Sequence, residues 1–316
     1  MNAETQKTEY TIERLTSTKL VDVEKLHEAV YRRVLPPGFL LKKYDTAFTA
    51  VKYVGFIAYN KQRMPIGYYG VIPCYVWLDE KKILAAQSAD TMTHPGYRNK
   101  GFFRELAQLT YALCRNNGIN FVFGFPNQNS LPGFINKLGW HMTERMDRFT
   151  IPVSNSSWIR FFKKLPFVKL VINRYQQVLL NRHSVQQQGL ANSVFANRFG
   201  GVYRDQDYLN YKTYTPGKVI EMANSTLWVK AAATLLIGDI SLAPGDFDSV
   251  MYQVKKLARN LFVNEIHFHA SPGTSLHHLF SERFKPIPSF PVIFKVLHGD
   301  YELDEIKFTA ADIDTF

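Results

Sequence analysis

The sequence predicts an α/β protein built as two layered halves. Three observations carry this. Between residues 10 and 153, short apolar or alternating runs interleave with segments of helical period, in the order β-α-α-β-β-β-α-β-α-β. From about residue 201 a second succession of strands and helices follows, echoing the first from residue 54 onward as a diverged duplication would. The chain has 316 residues, 46% of them apolar with 24 Phe and 17 Tyr, and 21% charged; this suffices for two folded cores. The domains are therefore drawn at 1–153, 154–200 and 201–316.

Residues 10–15 alternate in character and read as a strand. Asp22 is placed to cap a helix reaching about Val34, with Val23, Leu26, Val30 and Val34 on one face, and Pro36-Pro37-Gly38 ends it. A short helix is expected around 40–48. Three strands follow at 54–59, 65–78 and 83–93, the last two joined by the Asp79-Glu80-Lys81-Lys82 turn. Residues 102–116 form a helix with Phe103, Leu106, Leu109 and Leu113 at helical spacing, closed by Asn117-Gly118. A wholly apolar strand at 121–125, a short helix at 130–138 and a strand at 142–153 complete this half. The second half reads as strands at 218–223, 226–232 and 234–242, a helix at 247–261, a strand at 265–270, a helix at 274–283 and a strand at 291–298.

The stretch 154–200 differs from both. Asn155-Ser156-Ser157 opens it as a linker, and 158–190 mixes apolar residues with Arg160, Lys163, Lys164, Lys169, Arg174 and Arg182. Pro166 divides it into two helical pieces. Such a segment either packs its apolar face on a domain, which is the commoner arrangement, or lies on a membrane surface as a peripheral contact.

The net charge of +11 suits an anionic partner, whether nucleic acid, acidic lipid or a phosphate-rich cofactor. No finger spacing or RNP-like aromatic pattern accompanies it, so nucleic acid is not the expected partner. Cys74 and Cys114 are too few for a disulfide framework and read as buried apolar residues in a reducing compartment. The first residues are polar, and no run approaches the roughly 18 apolar residues that span a bilayer, so a cytoplasmic location is expected. His267 and His269 share one strand face, with His277 and His278 nearby, but nothing completes a ligand set and no metal is expected; a pocket-lining role suits them better.

The informative stretch runs from Ala86 to Phe103. A strand ends at His94-Pro95; a tight loop holds Arg98, Asn99, Lys100 and Gly101; a helix starts at once. The first turn of a helix leaves backbone N–H groups unpaired, and with the helix dipole they form an anion site. Gly101 allows close backbone approach and the two cations add charge, so a pyrophosphate fits.

Here the sequence resembles the GNAT superfamily of acyl-CoA transferases, whose pyrophosphate loop reads Gln/Arg-x-x-Gly-x-Gly/Ala. Arg98-Asn99-Lys100-Gly101-Phe102-Phe103 matches except at Phe103, where the family has a small residue. Thr93-His94-Pro95-Gly96-Tyr97 is similar to the family's approach to that loop. Downstream, Phe125-Pro126-Asn127-Gln128-Asn129-Ser130 and Lys137-Leu138-Gly139-Trp140 resemble its Asn-x-x-Ala helix and Leu-Gly-Phe turn. The resemblance covers about residues 10–153, and more loosely the whole chain resembles longer GNAT proteins with a second, degenerate half. It implies a mixed, mostly antiparallel sheet flanked by helices, twice in tandem.

It also implies an N-acyltransferase, most simply an acetyltransferase, using acetyl-CoA or another acyl-CoA and passing the acyl group directly to a small-molecule or peptide amine. The amides of Asn99 to Phe103 would anchor the pyrophosphate, with Arg98 alongside. A backbone N–H near Met92–Thr93 would polarise the thioester carbonyl, and Asn127 would either hold the pantetheine arm or cap the turn before Ser130. The residues that could take the amine's proton are Asp90, which could face the cleft, and His94, whose natural pKa is near neutral; the commoner alternatives are a strand-end hydrogen-bond acceptor for Asp90 and a loop residue shaping the turn before Pro95 for His94. Tyr68, Tyr69, Tyr75 and Trp77 either line an acceptor pocket or pack. One departure bears on activity: where the family has a Tyr that protonates the leaving thiolate, this chain has Phe134. With Phe103, this favours the alternative, a non-catalytic acyl-CoA-binding or interaction protein on the same fold.

Overall fold

The computed structural model describes residues 10–98, 100–154, 166–186 and 189–316. It divides into two compact units: Met1–Tyr75, Ile83–Met142 and Ile293–Tyr301 form the first; Val76–Lys82, Thr143–Val292 and Glu302–Phe316 form the second.

The first unit opens with β1 (Tyr10–Arg14), α1 (Leu20–Tyr31) and α2 (Phe39–Tyr44), followed by β2 (Val54–Asn60), β3 (Pro65–Leu78) and β4 (Lys81–Thr93). After α3 (Phe102–Asn116) come β5 (Phe121–Gly124), a π-helical turn at Gly133–Lys137 and the start of β6 (His141–Pro152), which from Thr143 on belongs to the second unit, as does the tip of the β3–β4 hairpin, Val76–Lys82. β1 pairs antiparallel with β2, β2 antiparallel with β3, and β4 parallel with β5. The order of elements is the one the sequence predicts, and the mixed α/β sheet flanked by helices is the expected GNAT fold.

Two details differ. α1 ends at Tyr31, because Arg32 turns left-handed with its N–H bonded to Glu28, so Val34 lies beyond the helix and exposed. Asp22 is not the cap; it sits in the first turn, accepts a hydrogen bond from Tyr59 Oη at 3.0 Å and pairs with Lys25. In α3 the buried face runs Phe102, Leu106, Ala107, Thr110, Tyr111 and Cys114, one column away from the Leu109 column, and Leu109 is exposed. Small residues let the helix sit close to the sheet, so the inner face is less apolar by sequence than its neighbour. Phe102 packs edge-on against Tyr10 at 4.6 Å, and each large side chain buried here contributes about 1.5–3 kcal/mol. Cys74 and Cys114 are both buried, and burial pushes the Cys114 thiol up to about 12.

The second unit contains α4 (Pro166–His183), β7 (Gly201–Val202), α5 (Gln206–Tyr211), β8 (Lys218–Met222), β9 (Ser225–Ala231), β10 (Leu235–Ser241), α6 (Phe247–Asn260), β11 (Glu265–Ala270), α7 (Ser275–Ser281) and the start of β12 (Ile287–Val296), which from Ile293 on belongs to the first unit. Its succession β9-β10-α6-β11 repeats β3-β4-α3-β5, down to a parallel pair, β10 with β11. β6 pairs antiparallel with β11, from Glu265↔Pro152 to Ala270↔Asp147. The C-terminal end of β12 pairs antiparallel with β5, from Ile293↔Gly124 to Val296↔Phe121. Each half's closing strand is thus exchanged for the other's. Of the two helical pieces expected in 158–190, one is α4, starting at Pro166 where a proline's missing N–H costs nothing; the other lies outside the described residues.

Arg204 is wholly buried in this unit. It donates from Nη2 to Asp312 at 2.7 Å and to Thr309 at 2.9 Å, and from Nη1 to Asp239. Burial works against its charge, but Asp312 and Asp239 more than reverse that.

His267 bonds Glu265 at 2.9 Å, His277 bonds Asp147 at 2.9 Å, and His269 bonds Ser289 at 3.1 Å. Among the described residues no group of three or more His, Cys, Asp or Glu is placed to hold a metal. Burial, helped by His267 and Arg148, pushes the His269 imidazole down to about 4. The folded protein keeps it neutral while the unfolded chain protonates it near 6.5, so stability is expected to fall as pH drops from 6.5 towards 4. Denaturant midpoints at neutral pH and at about pH 5 check this: the drop should be smaller in His269→Asn than in the parent. Equal drops would remove His269 as the cause.

Candidate functional site

β4 and β5 pair only at Ala86↔Val122 and Gln87↔Phe123, after which β4 runs on to Thr93 while β5 stops at Gly124. Between them opens a cavity of about 140 Å³, lined by Ser88 to Thr91 from β4 and by Gly124 to Asn127 from the end of β5. A larger cleft of about 420 Å³ adjoins it; Tyr31, Thr91 and Ser130 line both. Its wall runs from Thr91–Thr93 through Arg98, Lys100 and Gly101 to the first turn of α3. Arg98, Lys100, Arg104 and Lys137 line this cleft, and among the described residues no Asp or Glu does. Four cations without a carboxylate give it an electrostatic field that favours anions.

Local chemistry shapes the loop. His94 N–H bonds the carbonyl of Ile66 at 2.9 Å, closing the strand. The His94 Nδ1 accepts from Gly96 N–H at 3.2 Å, and Pro95 starts a single 3₁₀ turn, Pro95–Tyr97. Tyr97 Oη accepts from Asn60 at 2.9 Å, and the Lys100 ammonium lies 5.1 Å from the Tyr97 ring centre. Gly101 caps α3 with φ +84°, a conformation that disfavours any side chain, and open space surrounds the position where a Cβ would stand. Gly101 supplies no cap side chain, so the first-turn amides of Phe102 and Phe103 have no cap acceptor.

The candidates fall into three groups. Met92, Thr93, Arg98, Lys100, Gly101, Phe102 and Phe103 all line the larger cleft; Asn99 lies outside the described residues. Asp90 and Asn127 line the small cavity. His94 lines neither; its ring caps the 3₁₀ turn and packs edge-on against Tyr97 at 5.7 Å.

Asp90 is fixed in place. Its Oδ2 accepts from Lys43 Nζ at 2.9 Å and from Tyr44 Oη at 2.6 Å. The Lys43 side chain is only 4% exposed and that of Asp90 24%. Burial would raise the carboxyl's pKa, but the Lys43 ammonium and the two hydrogen bonds outweigh it and hold it below its ordinary value. Asp90 is therefore a persistent anion with little appetite for a proton. Asn127 Oδ1 accepts from the N–H groups of Asn129 and Ser130 at 2.9 and 3.0 Å, so it also shapes the turn.

Phe134 is buried between Phe103 at 5.3 Å and Trp140 at 4.9 Å, ring centre to ring centre. The large Phe103 is accommodated by Gly133: a Cβ there would stand 3.2 Å from the Phe103 ring. Tyr68 and Tyr69 are wholly buried and Trp77 stacks on Tyr203 at 5.8 Å; these aromatics pack rather than line either cavity.

Sequence reading missed Arg104, Lys137 and Tyr31. Arg104 stood one turn into a helix expected to face the sheet. Lys137 opened a quoted turn motif, and only folding carries it to the cleft. Tyr31 ends α1, far away in sequence.

Residues 11–143 match the family model described as Acetyltransferase (GNAT) domain. No curated protein matches the sequence. Among solved structures, a probable N-acyltransferase of unknown function from Enterococcus faecalis V583 is similar at TM-score 0.61 and 13% identity, covering 92% of this chain and 73% of that one. A putative acetyltransferase from Pyrococcus horikoshii is similar at TM-score 0.54 and 10% identity, covering 99% and 97%. Saccharomyces cerevisiae N-myristoyltransferase with bound myristoyl-CoA is similar at TM-score 0.54 and 10% identity, covering 92% and 83%. These likenesses are of fold, and they extend across both halves. A splayed parallel strand pair, a cationic loop at a helix start and the matched model agree: residues 11–143 of the chain form a domain of the GNAT acetyltransferase type.

Proposed function

We propose that this protein transfers an acyl group, acetyl in the first instance, from acyl-CoA to the amine of a small molecule or peptide. The observation that carries the reading is the cleft at the start of α3, with four cations, no carboxylate among the described lining residues and a glycine-capped helix. These features fit the pyrophosphate of coenzyme A, with Arg98, Lys100 and the amides of Phe102 and Phe103 holding it and Asn99 in the same loop. Bound acyl-CoA supplies a thioester carbonyl. The N–H groups of Met92 and Thr93, at the splayed end of β4, are assigned to polarise it.

The small cavity beside this cleft is assigned to the acceptor. Asp90 faces it and, as a persistent anion, orients the incoming amine. Its low proton affinity makes it a weak base, so the amine's proton leaves to water and the rate climbs with pH until the acceptor is uncharged. His94, bonded to Gly96, is assigned to the loop rather than to proton transfer. Phe134 has no proton to give; the phenol of Tyr31, which lines both cavities, is assigned to protonate the departing thiolate.

Calorimetric titration with acetyl-CoA, CoA and longer acyl-CoAs, followed by CoA-release assays on a panel of amines, tests this. Asp90→Asn is expected to lower kcat/KM by roughly tenfold or more while leaving acyl-CoA affinity unchanged. Failure to bind any acyl-CoA would end the proposal. The burial of Phe134 favours a second reading, an acyl-CoA-binding protein without turnover; tight binding with no CoA release from any amine would establish it.

A further inference from the structure

α4 is apolar on more than one side. One side is seated on the second unit: Leu180 is buried in its core and Gln176, also buried, donates to the carbonyl of Leu261 at 2.8 Å. The opposite side carries Phe167, Leu170 and Val171, which are 75%, 68% and 51% exposed, with Tyr175 and Val178 beside them, also exposed. At 3.6 residues per turn these five positions, together with Arg174 and Arg182, fall in a sector of about 140°, with Gln176 facing the other way. A helix apolar all round is ordinarily covered all round.

Charge says what covers it. α4 contains Lys169, Arg174 and Arg182 and no acidic residue, and there is no Asp or Glu anywhere between Asp147 and Asp205. Arg174 and Arg182 stand exposed on the apolar sector itself. A second copy would set cation against cation across the contact. A negatively charged lipid surface instead takes the apolar side chains at its acyl boundary and the arginines at its headgroups. No helix among the described residues is long and apolar enough to cross a membrane, so the contact is peripheral. We infer that the outer face of α4 docks the protein on anionic membrane surfaces, a property independent of the acyl-CoA site.

The test is flotation of the full chain with vesicles of phosphatidylcholine alone and of phosphatidylcholine with phosphatidylglycerol. The protein is expected to float with the anionic vesicles, to remain behind with the neutral ones, and to be released by salt. The double variant Leu170→Glu/Val171→Glu alters exposed positions only and is expected to lose roughly tenfold or more in vesicle affinity. Its circular dichroism and thermal unfolding should match the parent, which separates lost docking from lost folding. Failure of the parent to float with anionic vesicles, or equal flotation by the folded variant, would overturn the inference. So would a concentration-dependent dimer, seen by sedimentation without vesicles and abolished by the same pair, which would assign the face to a second copy.

Discussion

Gly101→Glu is expected to reduce acetyl-CoA affinity by roughly a hundredfold or more. Two effects combine. The left-handed backbone at φ +84° costs a side chain about 1–2 kcal/mol. A carboxylate at the start of α3 would also occupy the field that the helix dipole, Arg98 and Lys100 present to a phosphate. Gly101→Ala separates them: open space surrounds the Cβ position, so only the backbone cost remains and the loss should be nearer tenfold. Arg98→Ala should also lose about tenfold, the worth of one charge-assisted hydrogen bond. Calorimetric titration measures all three. Parent-like affinity in Gly101→Glu would remove this loop as the phosphate site while leaving the fold assignment standing.

The second large effect is on stability. Arg204→Met leaves Asp239 and Asp312 buried and facing each other without their counter-ion. Breaking a buried charge network in this way costs about 3–5 kcal/mol, a large share of the roughly 5–15 kcal/mol that holds a typical domain folded. Denaturant titration followed by circular dichroism should show a transition at much lower denaturant, or no folded second unit at all. An unchanged midpoint would mean that the two carboxylates find other partners or protonate at little cost. Arg204→Lys should recover only part of the loss, since one ammonium cannot reproduce the fork that reaches Asp312, Thr309 and Asp239 together.

The sequence alone determined the succession of elements, because period and punctuation are local: the alternating run of β3, the helical spacing of α3 and the prolines and glycines between them are read within a few residues. It also pointed to the candidate anion loop, since an anion site at a helix start needs only a strand end, a glycine and nearby cations in one contiguous stretch. Tertiary structure decided what depends on residues distant in the chain. α3 turned its small-residue column inward because close approach to the sheet favours Ala107, Thr110 and Cys114 there over Leu109. Arg104, Lys137 and Tyr31 joined the cleft, and Lys43 and Tyr44 met Asp90, 47 and 46 residues away, lowering its appetite for protons. The exchange that pairs β12 with β5 and β6 with β11 was also decided there, because a strand's own sequence carries no local mark of the neighbour it will join.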